Sequence, residues 1–379
     1  MAHPIYLDYN GTTPHDPEVI AAMRPFLEHD FGNPSSSHWY GIAPQRAVQK
    51  ARAQVAELLG CVPEEIIFTS GGTESNNHAI KGIVAAAPKG AHIITSAIEH
   101  PAVLEVCRRL ETSGAATTSV PVDRYGLVDP EDVARAIRPE TVLITIMHSN
   151  NEVGTIEPIA EIAEIARRHS LLIHTDAAQS AGKTRLDVNE LGVDLLSLAG
   201  HKLYAPKGVG ALYVRRGVEL APFCHGAGQE NGRRAGTENV LEIVGLGTAC
   251  DIARRDLTAN IDHMLSLRNR LHQCLAARLG NTFRLNGHPE KRLANTLNLS
   301  FKDVEATRML EEIGLEVAAS AGAACHSGTV RISHVLRAMQ VPDEWAKGTL
   351  RFTVGRMTTE TEIDRAVDVI GNAVLRLRA

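Results

Sequence analysis

The fold is indicated by the stretch Ile66-Ile67-Phe68-Thr69-Ser70-Gly71-Gly72-Thr73-Glu74. Its first four residues are apolar or β-branched and predict a short buried strand, and the paired glycines predict a turn. A helix is predicted over residues 74–86, followed by a second strand at 92–95. This stretch therefore predicts a strand–turn–helix–strand unit, the building block of a mostly parallel sheet covered by helices.

The same alternation continues outward from this unit. Helices are predicted at 17–29 and 44–59, and further strands at 142–147, 171–175, 195–198 and 210–214, most of them separated by helical segments. A long helical pattern covers 239–280, and strands near 296–301, 316–319 and 350–354 predict a separate α+β unit. We therefore predict an α/β protein with a domain boundary near residue 250.

Composition narrows the class of protein. The 379 residues are 44% hydrophobic but only 4% aromatic, which predicts a core of aliphatic side chains. The net charge of −5 does not indicate a nucleic-acid or membrane surface. No apolar run approaches the ~20 residues of a membrane span, and the first residues lack a signal-peptide pattern. These features predict a cytoplasmic protein.

One of the six cysteines has an unusual context. Cysteines occur at 61, 107, 224, 250, 274 and 325, without C-x-x-C pairs or zinc spacing, so no metal site is predicted. Five have contexts typical of small buried residues. Cys325 lies in the segment SAGAACHSG at 320–328, where small residues on both sides would leave a thiol accessible. We predict a reactive thiol at this position.

The Gly71-Gly72-Thr73 turn is a candidate anion site. Paired glycines allow close approach of the backbone, and the N-terminus of the following helix offers free N–H groups. The alternative is an ordinary turn in which Thr73 caps the helix. The turn matches neither of the common glycine-rich nucleotide motifs, which argues against a nucleotide site.

Two further segments suit a pyridine cofactor. Asp176 ends an apolar strand and could hold a protonated ring nitrogen, while Gln179 could donate to a phenolate oxygen; the alternative is an aspartate that caps a loop. Lys202 follows a buried strand and is a candidate Schiff-base amine, although an exposed loop lysine or the nearby Lys207 are alternatives. A phosphate turn, an acid and a lysine about 26 positions later together match the requirements of pyridoxal 5′-phosphate (PLP).

Further motifs follow one order along the chain. They are YLDYNGTTP at 6–14, GNPSS at 32–36, FTSGGTESNN at 68–77, EHPAV at 99–103, NNEVGT at 150–155, RAGTEN at 234–239 and LRFTVGR at 350–356. With the Asp176 and Lys202 segments, they resemble the PLP-dependent family of cysteine desulfurases and selenocysteine lyases. The resemblance implies a type I PLP fold with a large cofactor domain at 15–250. Residues 1–14 with 251–379 would form the small domain that carries the catalytic cysteine.

The resemblance also implies roles for individual residues. Lys202 would hold the cofactor and move the α-proton, His100 would stack on its ring, and Cys325 would receive the sulfur. The implied cofactor-binding residues are Gly72, Thr73, His100, Asn151, Asp176, Gln179, His201, Lys202 and, from the neighbouring subunit of a homodimer, Thr237. The implied substrate-binding residues are Asn33, Asn151 and Arg351, the last through paired hydrogen bonds to a carboxylate.

Local departures from the family pattern leave open whether sulfur or selenium is transferred. The AACH sequence around Cys325 is similar to selenocysteine lyases, whereas Pro101 is similar to the first, nitrogen-fixation-type desulfurase subgroup. Ala199 stands where many desulfurases have a phosphate-binding serine. Our first hypothesis is a cysteine desulfurase that forms L-alanine and passes a Cys325 persulfide to an acceptor, for example in iron–sulfur assembly. The alternative is a selenocysteine lyase.

Two other functional classes of protein fit the motifs less well. A kynureninase-like hydrolase would not need a thiol in a glycine- and alanine-rich segment. A non-enzymatic cofactor sensor or sulfur carrier would not need Lys202, Asp176, His100 and Arg351 together. The set of motifs therefore favours an enzyme.

Overall fold

The computed structural model describes residues 3–321, 323–326 and 329–378, and it describes side chains for 3–321 and 332–378. The strands are β1 Ile5–Tyr6, β2 Ile66–Thr69, β3 His92–Ser96, β4 Ala116–Val120, β5 Thr141–Thr145, β6 Leu172–Asp176, β7 Leu195–Ala199, β8 Gly210–Val214, β9 Phe283–Asn286, β10 Thr296–Phe301, β11 Val317–Ala318, β12 Ser320–Ala321, β13 Ala323–His326, β14 Thr329–Ile332 and β15 Thr349–Thr353.

Helices alternate with these strands. They are α1 Pro17–Glu28, α2 Trp39–Leu59, α3 Gly72–Ala86, α4 Pro101–Glu111, α5 Pro130–Ala136, α6 Ile159–Arg168, α7 Val188–Leu191, α8 Val240–Arg255, α9 Leu257–Leu279, α10 Ala306–Ile313, α11 His334–Ala338, α12 Asp343–Ala346 and α13 Glu360–Arg378. Short 3-10 turns occur at Pro63–Glu65, Gly200–Lys202, Gln229–Gly232 and Gly280–Thr282. None of the helices in the described part of the chain has the length and apolarity that a membrane span requires.

The large sheet has seven strands in the order β2-β8-β7-β6-β5-β3-β4. β8 runs antiparallel to both of its neighbours, and the other six strands run in one direction. Aliphatic clusters cover both faces of this sheet, as the low aromatic content predicts. The carboxyl ends of β2, β3, β5, β6 and β7 therefore meet at one edge, which is where open α/β sheets bind ligands. The predicted α/β class is confirmed.

A second hydrophobic cluster belongs to the C-terminal part of the chain. Its sheet has the order β12-β15-β10-β9, and β1 pairs with β11 nearby. The cluster contains Ile5 and Leu7 together with side chains from α9, α10 and α13. This arrangement supports the division into 15–250 and 1–14 with 251–379, which stays a prediction. The segment from Ile332 to Ala346 is an exception, because its apolar side chains pack on the core of the large sheet.

Several boundaries differ from the sequence-based prediction. The long helix predicted at 239–280 is two helices, α8 and α9, which are separated at Asp256. β4 and β9 were not predicted, because each is an edge strand with partly exposed side chains and little apolar periodicity. α3 begins at Gly72, and Gly71 is its N-cap, so the alternative in which Thr73 caps this helix is wrong.

Candidate active site

A cavity of about 420 Å³ opens at the carboxyl edge of the large sheet. Its lining includes nine residues that the sequence assigned to the site: Gly72, Thr73, His100, Asn151, Asp176, Gln179, His201, Lys202 and Arg351. They come from the ends of several strands and from β15 of the smaller sheet. Strand direction explains this convergence, because parallel strands bring residues far apart in sequence to one edge.

The start of α3 forms one end of the cavity. Gly71 has a φ of 143°, a value that favours glycine, and the helix begins at the next residue. The first N–H groups of a helix have no carbonyl partner within it, so the first turn at Gly72 and Thr73 offers donors to an anion. A Cβ atom on Gly72 would lie 3.2 Å from Cβ of Ala199, so these two residues pack closely. A phosphate group suits this end of the cavity.

Asp176 lies at the last position of β6, buried in the cavity wall. Its carboxylate accepts hydrogen bonds from Nδ2 of Asn76, at 2.7 Å, and from the backbone N–H of Ala178, at 3.0 Å. These two bonds fix the plane of the carboxylate. Asn76 was not assigned a role from sequence. Its spacing of four residues from Gly72 could have identified it, since residues i and i+4 share one face of a helix.

The side chain of Lys202 points from the Gly200–Lys202 turn after β7 to the chain near Asn10. Its Nζ donates to the carbonyl oxygens of Asn10, at 2.5 Å, and Gly11, at 2.7 Å. Burial lowers the pKa of this amine to about 8, and the positive charge of Arg351 adds to the effect. A lysine with a lowered pKa is more often neutral and therefore nucleophilic. Lys207 is exposed and does not line the cavity, which favours Lys202.

Arg351 brings the smaller sheet to the site. Its Nη2 donates to Oδ1 of Asp8 at 2.7 Å, and its Nη1 donates to the carbonyl oxygen of Asn151 at 2.8 Å. Its Nε is buried without a hydrogen-bond partner among the described residues. The guanidinium is thus held in place and keeps donor capacity at the cavity, which suits a carboxylate ligand. The partner Asp8 was not identified from sequence.

His100 caps α4 beside the cavity. Its Nδ1 accepts from the backbone N–H of Ala102 at 3.1 Å, and burial lowers the pKa of the ring. The preceding residue, Glu99, is fully buried, and burial raises its pKa to about 8. Its Oε1 accepts from Oγ of Ser96 at 2.6 Å and from the N–H of Met147 at 2.8 Å. Glu99 therefore ties the His100 segment to the end of β5.

Three assigned residues are not part of this cavity lining. Asn33 is exposed, and its Oδ1 accepts from the N–H of Ser35 in its own turn. Thr237 lines a second cavity of about 180 Å³. The backbone of Cys325 belongs to β13, which pairs with β14, and its side chain lies outside the described residues. The roles of all three stay predictions.

Comparison with known proteins agrees with this geometry. Residues 5–366 match the family described as aminotransferase class-V. The chain belongs to this family. Cysteine desulfurase IscS from Dictyoglomus turgidum is 48% identical over 380 residues, covering 100% of this chain and 96% of that protein. Cysteine desulfurase IscS from Methanosarcina thermophila is 48% identical over 376 residues, 99% of this chain and 93% of that protein.

Solved structures of similar proteins indicate the same family as these sequence relatives. A structure described as a NifS-like protein has a TM-score of 0.91 and 36% identity, covering 97% of this chain and 98% of that one. A structure described as SspA in complex with cysteine has a TM-score of 0.80 and 38% identity, covering 94% of this chain and all of that one (100%). The predicted resemblance to cysteine desulfurases is confirmed.

The residues present fit PLP, the cofactor of this family, so the predicted cofactor is confirmed. The cavity has anion donors at the start of α3, a carboxylate at Asp176 and an amine at Lys202. These are the three groups that PLP requires for its phosphate, its ring nitrogen and its aldehyde. Ala199 lines the same cavity without a hydroxyl group, as its departure from the family pattern predicts.

Proposed function

We propose that this chain is a PLP-dependent cysteine desulfurase that converts L-cysteine to L-alanine and transfers the sulfur to Cys325. The observation that carries the proposal is the meeting of Lys202, Asp176 and Arg351 in one cavity. A protein 38% identical to this chain has been solved in complex with cysteine, which supports cysteine as the substrate.

Each end of the cavity has a distinct task in this reaction. Gly72, Thr73 and His201 would bind the phosphate of the cofactor, and Asp176 would hold its ring nitrogen. PLP, when bound, withdraws electrons from the α-carbon of the amino acid. Lys202 removes and returns the α-proton, for which an amine with a pKa of about 8 is suited near neutral pH. His100 would pack on the ring, and Asn151 and Gln179 would contact the phenolic oxygen.

Cys325 accepts the sulfur in the final step. Its thiolate attacks the substrate sulfur, a sulfur–sulfur bond forms, and the carbon–sulfur bond breaks with its electron pair moving to carbon. Protons then complete L-alanine, so cysteine and the thiol become alanine and a persulfide without an external oxidant. An acceptor must remove this sulfur before the next turnover. Only a thiolate is nucleophilic enough for the attack.

Contacts made by the chain before and after Cys325 support its role in this step. Ser320, in β12, pairs directly with Arg351 on β15. Five residues of extended chain span at most about 17 Å, so Cys325 is tethered close to the cavity. After the β13–β14 hairpin, the ring of His334 contacts the carbonyl oxygen of Glu99 at 2.9 Å, next to His100. Both ends of the Cys325 hairpin are therefore attached to the wall of the site.

The proposal is tested by alanine release from L-cysteine and from L-selenocysteine by the PLP-loaded chain. We expect turnover of both, and we expect Cys325→Ala to lose about 100-fold or more with L-cysteine but much less with L-selenocysteine, because selenium is the better leaving group. Cys274→Ala, at a half-buried helical position, is the matched control and should behave as the native chain. Turnover of L-selenocysteine alone would instead identify a selenocysteine lyase. A cofactor spectrum that responds to neither substrate would identify a sensor.

We also place the enzyme in a homodimer whose sites are shared, with Thr237 completing the phosphate site of the neighbouring subunit. The Thr237 loop is anchored by one partly buried and one buried ion pair: Nε of Arg234 donates to Oε1 of Glu74 at 2.8 Å, and Arg52 forms two bonds of 2.7 Å with Glu230. Thr237 itself is exposed, as a contact with a second chain requires. This geometry supports a rigid loop that is presented to a partner.

Mixed dimers test the shared site. Thr237→Glu should repel the phosphate group, and Lys202→Ala should remove the reactive amine, so each variant alone should be inactive. A mixed dimer of the two has one site with both native residues, and random pairing should restore about one quarter of the native activity. Sedimentation of the mixture confirms that dimers are present. Activity that stays at the level of the separate variants would show that each chain supplies its own Thr237.

The proposal includes a reducing, cytoplasmic location. The five cysteines whose side chains are described, at 61, 107, 224, 250 and 274, are all unpaired. Unpaired cysteines are typical of reducing compartments, where a persulfide can also be passed to an acceptor protein.

A further inference from the structure

A buried lysine lies directly behind the cofactor cavity. The side chain of Lys183 is only 5% exposed, and its Nζ donates to Oε1 of Gln179 at 3.1 Å. Nε2 of Gln179 donates in turn to the carbonyl oxygen of Asn10 at 3.0 Å, the same oxygen that accepts from Lys202. A continuous chain of hydrogen bonds thus joins Lys183, through Gln179 and Asn10, to the reactive amine.

This chain fixes which way the Gln179 amide faces. The amide oxygen faces an ammonium donor, and the amide nitrogen faces a carbonyl acceptor. The reversed amide would place oxygen against the carbonyl of Asn10 and N–H groups against Lys183, so both contacts select the same orientation. One N–H of Nε2 is used by Asn10. Because Gln179 lines the cavity, the second N–H is the one left for an oxygen atom of a bound ligand.

Lys183 is costly as a purely structural residue. Among the described residues, the only hydrogen-bond acceptor of its Nζ is Gln179, and the charges that act on it most are the cations Lys202 and Arg351. Burial, together with the smaller effect of those two cations, lowers its pKa to about 7. An apolar side chain would avoid this cost, since lysine is rarely buried without an opposite charge. A buried anion of the cofactor would supply that opposite charge.

A second, smaller cavity adjoins both Lys183 and Lys202. This cavity of about 10 Å³, roughly the space of one water, lies between Lys183, Lys202, Tyr204 and Arg356. A water there would provide Lys183 with a second acceptor. Lys183 therefore contacts Gln179 and also borders this small cavity.

We propose that Lys183 is a positioning residue for the cofactor: it orients the Gln179 amide toward the phenolic oxygen and places positive charge behind that oxygen. The inference rests on the proposed function, because it requires PLP with its phenolic oxygen at Gln179. Positive charge stabilises the phenolic oxygen without its proton. It also disfavours a proton on the nitrogen through which Lys202 is linked to the bound cofactor. Both effects lower the pH at which the visible absorbance of the bound cofactor changes.

Removing the charge should therefore raise that pH midpoint. A nearby charge shifts the pKa of a titrating group by about one unit or more, so a rise on the order of one pH unit is expected. The other charged groups that act on Lys202 are Arg351, Asp8 and Asp176, and they are unchanged in the variants. His201, whose pKa burial lowers to about 4, also lies near Lys183 and stays neutral over the range of interest.

The experiment is an absorbance titration of the PLP-loaded chain for three variants. Lys183→Met removes both the donor and the charge, Lys183→Gln keeps a neutral donor for Gln179, and Lys302→Met makes the same charge change at an exposed position. We expect the midpoint to rise in both Lys183 variants and to stay native in Lys302→Met. PLP should dissociate at least several-fold more readily from Lys183→Met than from Lys183→Gln, because only the latter keeps the amide oriented.

The outcomes separate this inference from the proposed function. If the native chain takes up no PLP, the proposed function fails, and the inference fails with it. If the native chain binds PLP and a folded Lys183 variant keeps the native midpoint, Lys183 is structural only and the inference is overturned. Thermal unfolding of each variant establishes that it is folded. If Lys183→Met does not fold, the midpoint of Lys183→Gln decides the question alone.

Discussion

Replacing Lys202 with alanine should reduce kcat/KM for L-cysteine by about 1,000-fold or more and remove the covalent link to PLP. Lys202 is the only lysine among the described residues that line the cavity. Loss of a proton-transfer group alone costs about 100- to 10,000-fold, and here the same group also binds the cofactor. Steady-state alanine release and the visible spectrum of the purified variant measure both effects.

Lys207→Ala is the matched control, since it removes a lysine from the same loop at an exposed position. It should keep the native spectrum and turnover. Reduction of the native holoenzyme with borohydride should attach the cofactor to the peptide that contains Lys202, as identified by mass spectrometry. Attachment to Lys207 or Lys183, or a Lys202→Ala variant with native turnover, would contradict the assignment.

The sequence predicted the parts of the fold and site that depend on local pattern. Asp176 and Lys202 each follow an apolar strand, and Gly71-Gly72 lies between a strand and a helix. Local pattern of this kind places residues at the carboxyl edge of a parallel sheet, where they must converge. The α/β class and the position of the cavity follow from the same patterns.

Long-range pairing could not be predicted in this way. Asp8 and Arg351 form an ion pair across 343 positions of sequence, which only the docking of the N-terminal segment on β15 creates. Lys183 appears in sequence as an ordinary lysine in a polar turn, and its burial depends on packing from several elements. Periodicity and spacing carry no information about such contacts, so these residues emerge only from the structure.

Replacing Arg351 with lysine should lower kcat/KM for L-cysteine on the order of 100-fold while the cofactor remains bound. Lysine keeps the positive charge but cannot offer two parallel N–H groups to a carboxylate. The contacts of Arg351 with Asp8 and the carbonyl of Asn151 hold its guanidinium plane, and a lysine amine would have no such orientation. The loss should appear mainly in KM, because the carboxylate is bound both before and during the reaction.

Arg351→Leu should lower kcat/KM further than lysine does, since it removes the charge and leaves Asp8 without its partner. It should also raise the pKa of Lys202, because Arg351 is the cation that lowers it most. The acidic limb of the pH–rate profile would then move to higher pH in Arg351→Leu but not in Arg351→Lys. Arg365→Lys, in an exposed ion pair with Glu316, is the control and should leave kcat/KM unchanged. Native kcat/KM in both Arg351 variants would exclude this residue from carboxylate binding and leave Asn33 or Asn151 to bind the substrate carboxylate.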